Sequence, residues 1–215
     1  MANKIIYLKL VFLSVIIIIG FAGCNNSSTD SDKDIYEALF NRLSQSISEK
    51  PVIVISDKAV NINEVIPPIS AEVRKEVESN LDYKITPTTQ LKNMLPATSL
   101  NLQTRFIERL KTGGNLNKLD LQISTKLKLI FAKNSEIDSI FDKNLEDAWK
   151  NFPAKYSGAK SLVSLSLPAI DTETDTALVY AGVRCGGLCG QGYIFLLAKL
   201  KGKWAVVHMH NVWIS

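Results

Sequence analysis

Apolar and polar positions divide this chain into stretches of clearly different period. Leu10 to Phe21 is a nearly unbroken apolar run, whereas Asn25 to Asp34 (NNSSTDSDKD) contains no apolar residue. Ile35, Leu39, Phe40, Leu43 and Ile47 then recur at the spacing of one helical face, and Pro51 stops that helix. The segment PVIVIS after it reads as a buried strand, and Pro67-Pro68 marks a turn. Ser70 is placed to N-cap a second helix carrying Val73, Val77 and Leu81. Residues 84–100 are rich in Thr and Pro and give no clean period. Leu102, Phe106, Ile107 and Leu110 predict a third helix over 101–112, closed by Gly113-Gly114. Leu119 to Phe131 alternates as a strand, most clearly at Leu127, Leu129 and Phe131. Ser135 with Asp138 resembles a capping box opening a fourth helix, which bears Ile137, Ile140, Phe141, Leu145, Ala148 and Trp149 and is ended by Pro153.

From Ser161 the period changes to two. Ser161–Leu167, Ala177–Arg184, Tyr193–Leu200 and Lys203–Ile214 read as strands joined by short links. Lys201-Gly202 fits a two-residue hairpin turn. The prediction is an α+β domain, with N-terminal helices packed on a C-terminal antiparallel β-meander. Residues 35–215 are long enough to bury a substantial core as one domain, and no internal repeat is evident.

The first two dozen residues carry an address. Lys4 and Lys9 precede the apolar run, and that run is too short to cross a bilayer core of ~30 Å as a helix. Phe21-Ala22-Gly23-Cys24 resembles the lipobox of bacterial lipoproteins, with Phe in place of the more usual Leu. The resemblance implies that residues 1–23 are a signal peptide and that Cys24 carries diacylglycerol, with a further (palmitate-type) acyl chain on its amine. Several chains are needed because one acyl chain holds a protein only marginally. Residues 24–34 are then expected to be a flexible, lipidated tether. The implied location is the bacterial cell envelope, with Asn25 pointing to the outer membrane in Gram-negative cells. The membrane is the one partner the resemblance names. Removing Lys4 and Lys9 lowers the net charge from +4 to +2, leaving 23 basic against 21 acidic residues. With no basic-aromatic clusters either, nucleic acid is not expected as a partner.

The most distinctive segment is Arg184-Cys185-Gly186-Gly187-Leu188-Cys189-Gly190-Gln191-Gly192, between two strands. Its glycines predict a tightly folded connection with positive φ values. A phosphate cradle is disfavoured, because such a loop leads into a helix and here a strand follows. Three cysteines are present. With Cys24 assigned to lipid, Cys185 and Cys189 form an even pair in a disulfide-permissive compartment. The alternative is a zinc site. His208 and His210 are the only histidines, and their spacing puts both on one strand face. With Lys201-Gly202 as the turn, His208 faces Phe195 and His210 faces Tyr193. They then share a face with Leu197, Trp204 and Val206, which favours packed histidines over the Cys185/Cys189/His208/His210 ligand set.

The segment from Ala177 to Ser215 also resembles the C-terminal signature of a family of uncharacterised bacterial lipoproteins. The carriers are a strand ending Ala-Leu-Val-Tyr, the Cys-Gly-x-Leu-Cys-Gly-x-Gly loop, a Gly-Lys-Trp hairpin and a terminal Trp-Ile-Ser. Ser164-Leu165-Ser166 and Trp149 fit more loosely. The resemblance implies the meander and the exported class, and supplies no catalytic residue.

Catalytic patterns are sparse. No nucleophile-elbow motif appears, and any His-dependent site would have to use His208 or His210. Glu146-Asp147 beside Lys143 and Lys150 reads as a solvated helix face with i,i+4 pairing. Asp171, Glu173 and Asp175 read as a polar turn, lacking the glycine and distal glutamate of a calcium loop. Trp204 and Trp213 fall on opposite strand faces by parity. These features predict a non-catalytic binding or structural module without a cofactor, rather than an enzyme.

Overall fold

The computed structural model describes residues 27–45, 52–66, 75, 86–116, 123–142 and 144–215. Six helices are found among them: α1 (Ser27–Ser44), α2 (Ile62–Val65), α3 (Pro87–Met94), α4 (Leu100–Thr112), α5 (Asn134–Phe141) and α6 (Leu145–Lys155). The strands are β1 (Val52–Ser56), β2 (Lys58–Ala59), β3 (Gly114–Asn115), β4 (Lys128–Ala132), β5 (Ser161–Leu165), β6 (Ala169–Asp171), β7 (Thr176–Gly186), β8 (Cys189–Leu200) and β9 (Lys203–Ile214). Seven of them form one mixed sheet in the order β4-β1-β5-β7-β8-β9, with β6 also paired to β7. Strand β1 runs parallel to β4 and β5, and the pairings from β5 through β9 are antiparallel. The fold class is α+β.

Both faces of the sheet are covered. On one face Ile35, Tyr36, Leu39 and Phe40 of α1 pack over Ile53, Ile55, Val163, Leu165, Val179 and Phe195. The opposite face holds two cores. Leu102, Phe106, Ile107 and Leu110 of α4 cover Leu178, Tyr180 and Ile194. Ile137 of α5, with Phe152 and Tyr156 from α6 and its end, covers Val54 and Leu162. Parallel β1 is buried on both sides, which is why Val52 to Ile55 is apolar without a break. Each fully buried side chain of this kind contributes about 1.5–3 kcal/mol.

Several sequence expectations are corrected. The compact unit runs from Asp32 to Ser215, and α1 starts at Ser27, inside the segment expected to be a flexible tether. Acidic and hydroxyl residues favour a helix start, and Asp32 and Lys33 are half-buried. Pro87 opens α3 where no period was visible; Thr86 caps it through reciprocal bonds with Thr89. Among the described residues, the strand expected over Leu119 to Phe131 spans Lys128–Ala132; residues 119–122 lie outside them. The long fourth helix is two. Asn144 caps α6 by accepting from the Glu146 and Asp147 amides (2.8 and 3.3 Å). The start of α5 is capped in tertiary fashion, its Asn134 amide donating to Asp57 Oδ1 at 2.7 Å, rather than by Ser135 and Asp138. Pro153 lies inside α6, where it forfeits a single backbone bond near the helix end. The C-terminal strands belong to a mixed sheet, and helices also stand between its strands in sequence. Of the predicted helix from Ser70, Lys75 alone is described, and it is helical; Ser70, Val73, Val77 and Leu81 lie outside the described residues, as do residues 1–23 and Cys24.

Candidate functional site

Strands β7 and β8 meet at a two-residue link, Gly187-Leu188, and the structure joins Cys185 to Cys189 in a disulfide across it, with Cα atoms 5.1 Å apart. The segment is therefore a clasped hairpin rather than an irregular glycine loop. Gly190 and Gly192 are ordinary extended residues of β8, and their smallness serves a different purpose. A Cβ on Gly192 would collide with the Trp213 indole, and one on Gly190 would stand 2.6 Å from Ser215 Oγ. The Ser215 amide donates to the Gly190 carbonyl at 2.9 Å. The glycines of the hairpin and the terminal Trp-Ile-Ser are thus two halves of one packing unit.

That unit is tied into the core by a polar chain. Trp213 Nε1 donates to the Tyr180 hydroxyl at 3.0 Å. The Tyr180 amide donates to Ser166 Oγ at 2.9 Å, and the Ser166 amide donates back to the Tyr180 carbonyl at 3.0 Å. Tyr36 of α1 donates to the Ser166 carbonyl at 2.8 Å from the other side of the sheet. Burial pushes the Tyr180 phenol up to about 12 despite the Trp213 bond, so it stays neutral near pH 7 and does not serve as a base there.

Beside the clasp lies a cleft of about 610 Å³. It sits on the two-core face, in the gap between those cores. Leu162, Arg184 and Trp213 form its floor, and the clasp closes one side with Gly186, Gly187 and Cys189. Phe141, Leu145 and Trp149 form one wall; Asn63 and Glu64 of α2 face them. Asp138 stands on the α5 side. A second depression of about 540 Å³ shares Leu145, Trp149 and Gly187 with it, so the two adjoin across Trp149. Trp149 is held edge-on to Phe141, ring centroids 5.0 Å apart, and packs on Phe152 at 5.2 Å. Its Nε1 is buried and has no hydrogen-bond partner among the described residues. Arg184 makes no ion pair among the described residues, whereas Asp138 accepts from Asn134 (2.7 Å) and Glu64 from the Asn61 side chain (2.6 Å).

The histidines stand elsewhere. A bulge at Val207 shifts the register, so that His208 opposes Leu196 and His210 opposes Ile194, not Phe195 and Tyr193. The extra residue flips both histidines to the α4 face, away from Trp204 and Val206. Ile194 is also ~17 Å along β8 from Cys189, at ~3.4 Å per residue. The cysteines are bonded to each other, and no group of three or more His, Cys, Asp or Glu side chains able to hold a metal occurs among the described residues. The Cys2His2 arrangement is not assembled.

Trp204 and Trp213 do occupy opposite faces, Trp204 packing on the α1 core and Trp213 over Gly192. Lys150 pairs with Glu146 at 2.9 Å on an exposed helix face, as its i,i+4 spacing predicts. Lys143 lies outside the described residues. Residues 172–175 form the expected exposed polar turn, but Asp171 stands at the end of β6. It is buried, accepting from Ser99 Oγ (2.8 Å) and the Glu173 amide (3.2 Å), and Ser99 in turn caps α4 at Leu102. Sequence reasoning did not find Asn63, Glu64, Asp138 or Arg184 as neighbours, since they come from three separate segments, α2, α5 and β7. The pairing of glycines in β8 with a tryptophan near the end of β9 was the available signal. No family model, curated protein or solved structure matches this chain.

Proposed function

We propose that this chain is an exported, lipid-anchored protein of the bacterial cell envelope whose folded domain is a non-catalytic binding module. The cleft beside the disulfide clasp is its ligand site. The observation that carries the reading is the convergence of Trp149, Trp213 and the clasp on one cleft of about 610 Å³. Its size and mixed lining are those of small-molecule sites, which span ~300–1,000 Å³ with an apolar body and a few polar groups. The lipobox-like Phe21-Ala22-Gly23-Cys24 supports the anchor, and a disulfide suits an oxidising compartment. Attachment is assigned to lipid on Cys24 on the strength of that motif. Palmitate-type acylation and placement in the outer membrane belong to the same proposal.

Intact-mass measurement of membrane-extracted protein tests the anchor and the clasp together. The expected species starts at Cys24, carries the mass of its acyl chains and gains two hydrogens on reduction. An unacylated chain retaining residues 1–23 overturns the anchor, and a mass unchanged by reductant overturns the clasp.

A further inference from the structure

We infer that the cleft binds carbohydrate, and that its ligand is an oligosaccharide of neutral or amino sugars rather than a monosaccharide. The inference rests on the binding-module reading above and names its ligand class.

Charge narrows the choice first. One arginine, Arg184, stands against two carboxylates, Glu64 and Asp138, so the cleft has no excess of positive charge for a phosphate or polyanion. An acyl chain is also a poor fit, because Arg184, Asn63, Glu64 and Asp138 would be desolvated without replacement bonds. A polyhydroxyl ligand reverses that cost. It offers donors to Glu64 and Asp138, and acceptors to Arg184 and Asn63, both exposed at the cleft. Sugar rings also present flat C–H faces, which pack on aromatic rings. Trp149 stands in the wall and Trp213 in the floor, and Trp213 spends its N–H on Tyr180, leaving the carbon surface of its indole for such contact.

Length follows from the shape. The neighbouring depression shares Trp149, Leu145 and Gly187 with the cleft, so a ligand filling both passes across Trp149. Together they exceed what one sugar ring occupies.

The test is titration of the whole folded domain with N-acetylglucosamine oligomers of one to four units, followed by intrinsic tryptophan fluorescence and calorimetry. The tetramer is expected to bind saturably and at least tenfold tighter than the monomer. Arg184→Ala and Asn63→Ala, both at exposed positions, are each expected to weaken it about tenfold, the scale of one hydrogen bond involving a charged or buried partner. Trp149→Phe keeps an aromatic ring in the wall and is expected to retain part of the affinity, which separates loss of indole stacking surface from loss of fold. A parallel titration uses the dye 8-anilinonaphthalene-1-sulfonate. Dye binding that depends on Trp149, with no response to any oligomer, overturns the carbohydrate assignment while leaving a binding cleft. Failure of both probes overturns the cleft itself. Equal affinity for one and four units, or oligomer binding unchanged by all three substitutions, also overturns the proposal.

Discussion

Trp213 occupies the space in which a side chain on Gly192 would have to stand. The two residues lie opposite each other on neighbouring strands, paired across β8 and β9. Gly192→Ala is therefore expected to destabilise the domain by about 1–3 kcal/mol through overpacking. The indole has little freedom to retreat, because its Nε1 is fixed on the Tyr180 hydroxyl. Denaturant unfolding measures the loss, and the Trp213 emission should shift with it. Unchanged stability would show that the indole has another resting place.

Tyr180→Phe attacks the same unit from below. It removes the acceptor for Trp213 Nε1 while preserving the ring and most of its buried area. Leaving that donor unsatisfied is expected to cost about 1–3 kcal/mol. Hydrogen exchange of the Trp213 indole proton should rise in the variant. The Gly192→Ala and Tyr180→Phe losses should also fall short of additive, since both loosen one side chain.

How far the fold was legible follows from where its constraints lie. Helix α4 could be read directly, because its four buried residues and its closing glycine are local in sequence. The turn at Lys201-Gly202 was equally local, and both residues have the positive φ such a turn needs (52° and 81°). The face of His208 was not legible. Alternation carries a parity, and one bulge at Val207 inverts it. Trp213 was still assigned to the correct face, because a second shift between Tyr193 and Gly192 restores the parity. The parallel partners of β1 were hidden for another reason. Ile53 and Val54 meet Leu129 and Ile130 in one direction and Ser161 and Leu162 in the other, and an unbroken apolar run does not specify which strands lie beside it. The cleft inherits that difficulty, since Glu64, Phe141, Trp149 and Arg184 converge only once the sheet is assembled.

The Cys185–Cys189 clasp should contribute little to global stability and more to local order. A disulfide closing so short a loop is worth about 2 kcal/mol in the chain-entropy estimate. Replacing both cysteines by serine is expected to lower stability by no more than that. Exchange protection should fall chiefly at Gly186 to Gly190 and in the cleft beside them. A loss well above 2 kcal/mol would mean that the clasp supports the sheet as a whole.

Ser99 joins a helix end to a buried carboxylate, and its removal separates the two. The hydroxyl accepts from the Leu102 amide at 3.1 Å and donates to Asp171 Oδ2 at 2.8 Å. Ser99→Ala is expected to cost about 1–2 kcal/mol, the upper part of the range for a helix cap, because Asp171 loses a donor as well. Ser99→Asp restores a capping oxygen but sets a second carboxylate against Asp171, and should fail to rescue. Thermal unfolding of the pair distinguishes a cap from a bridge.

Asp32 gives the domain a stability component that depends on pH. Burial pushes its carboxyl from 3.8 to about 6, and the Arg109 guanidinium offsets only part of that. The folded state therefore holds the Asp32 proton more tightly than the unfolded chain does. Below about pH 4 the group is protonated in both states and costs nothing. Between pH 4 and 6 the unfolded chain ionises first, and stability falls as pH rises; above 6 the penalty is constant. Asp32→Asn removes the penalty. It is expected to stabilise the domain by about 1 kcal/mol at pH 7, a value discounted for the group's partial exposure, and to do nothing at pH 4. Melting temperatures of the two proteins between pH 4 and 8 should diverge through that window. A variant less stable at pH 7 would mean that the attraction to Arg109 outweighs the cost of burial.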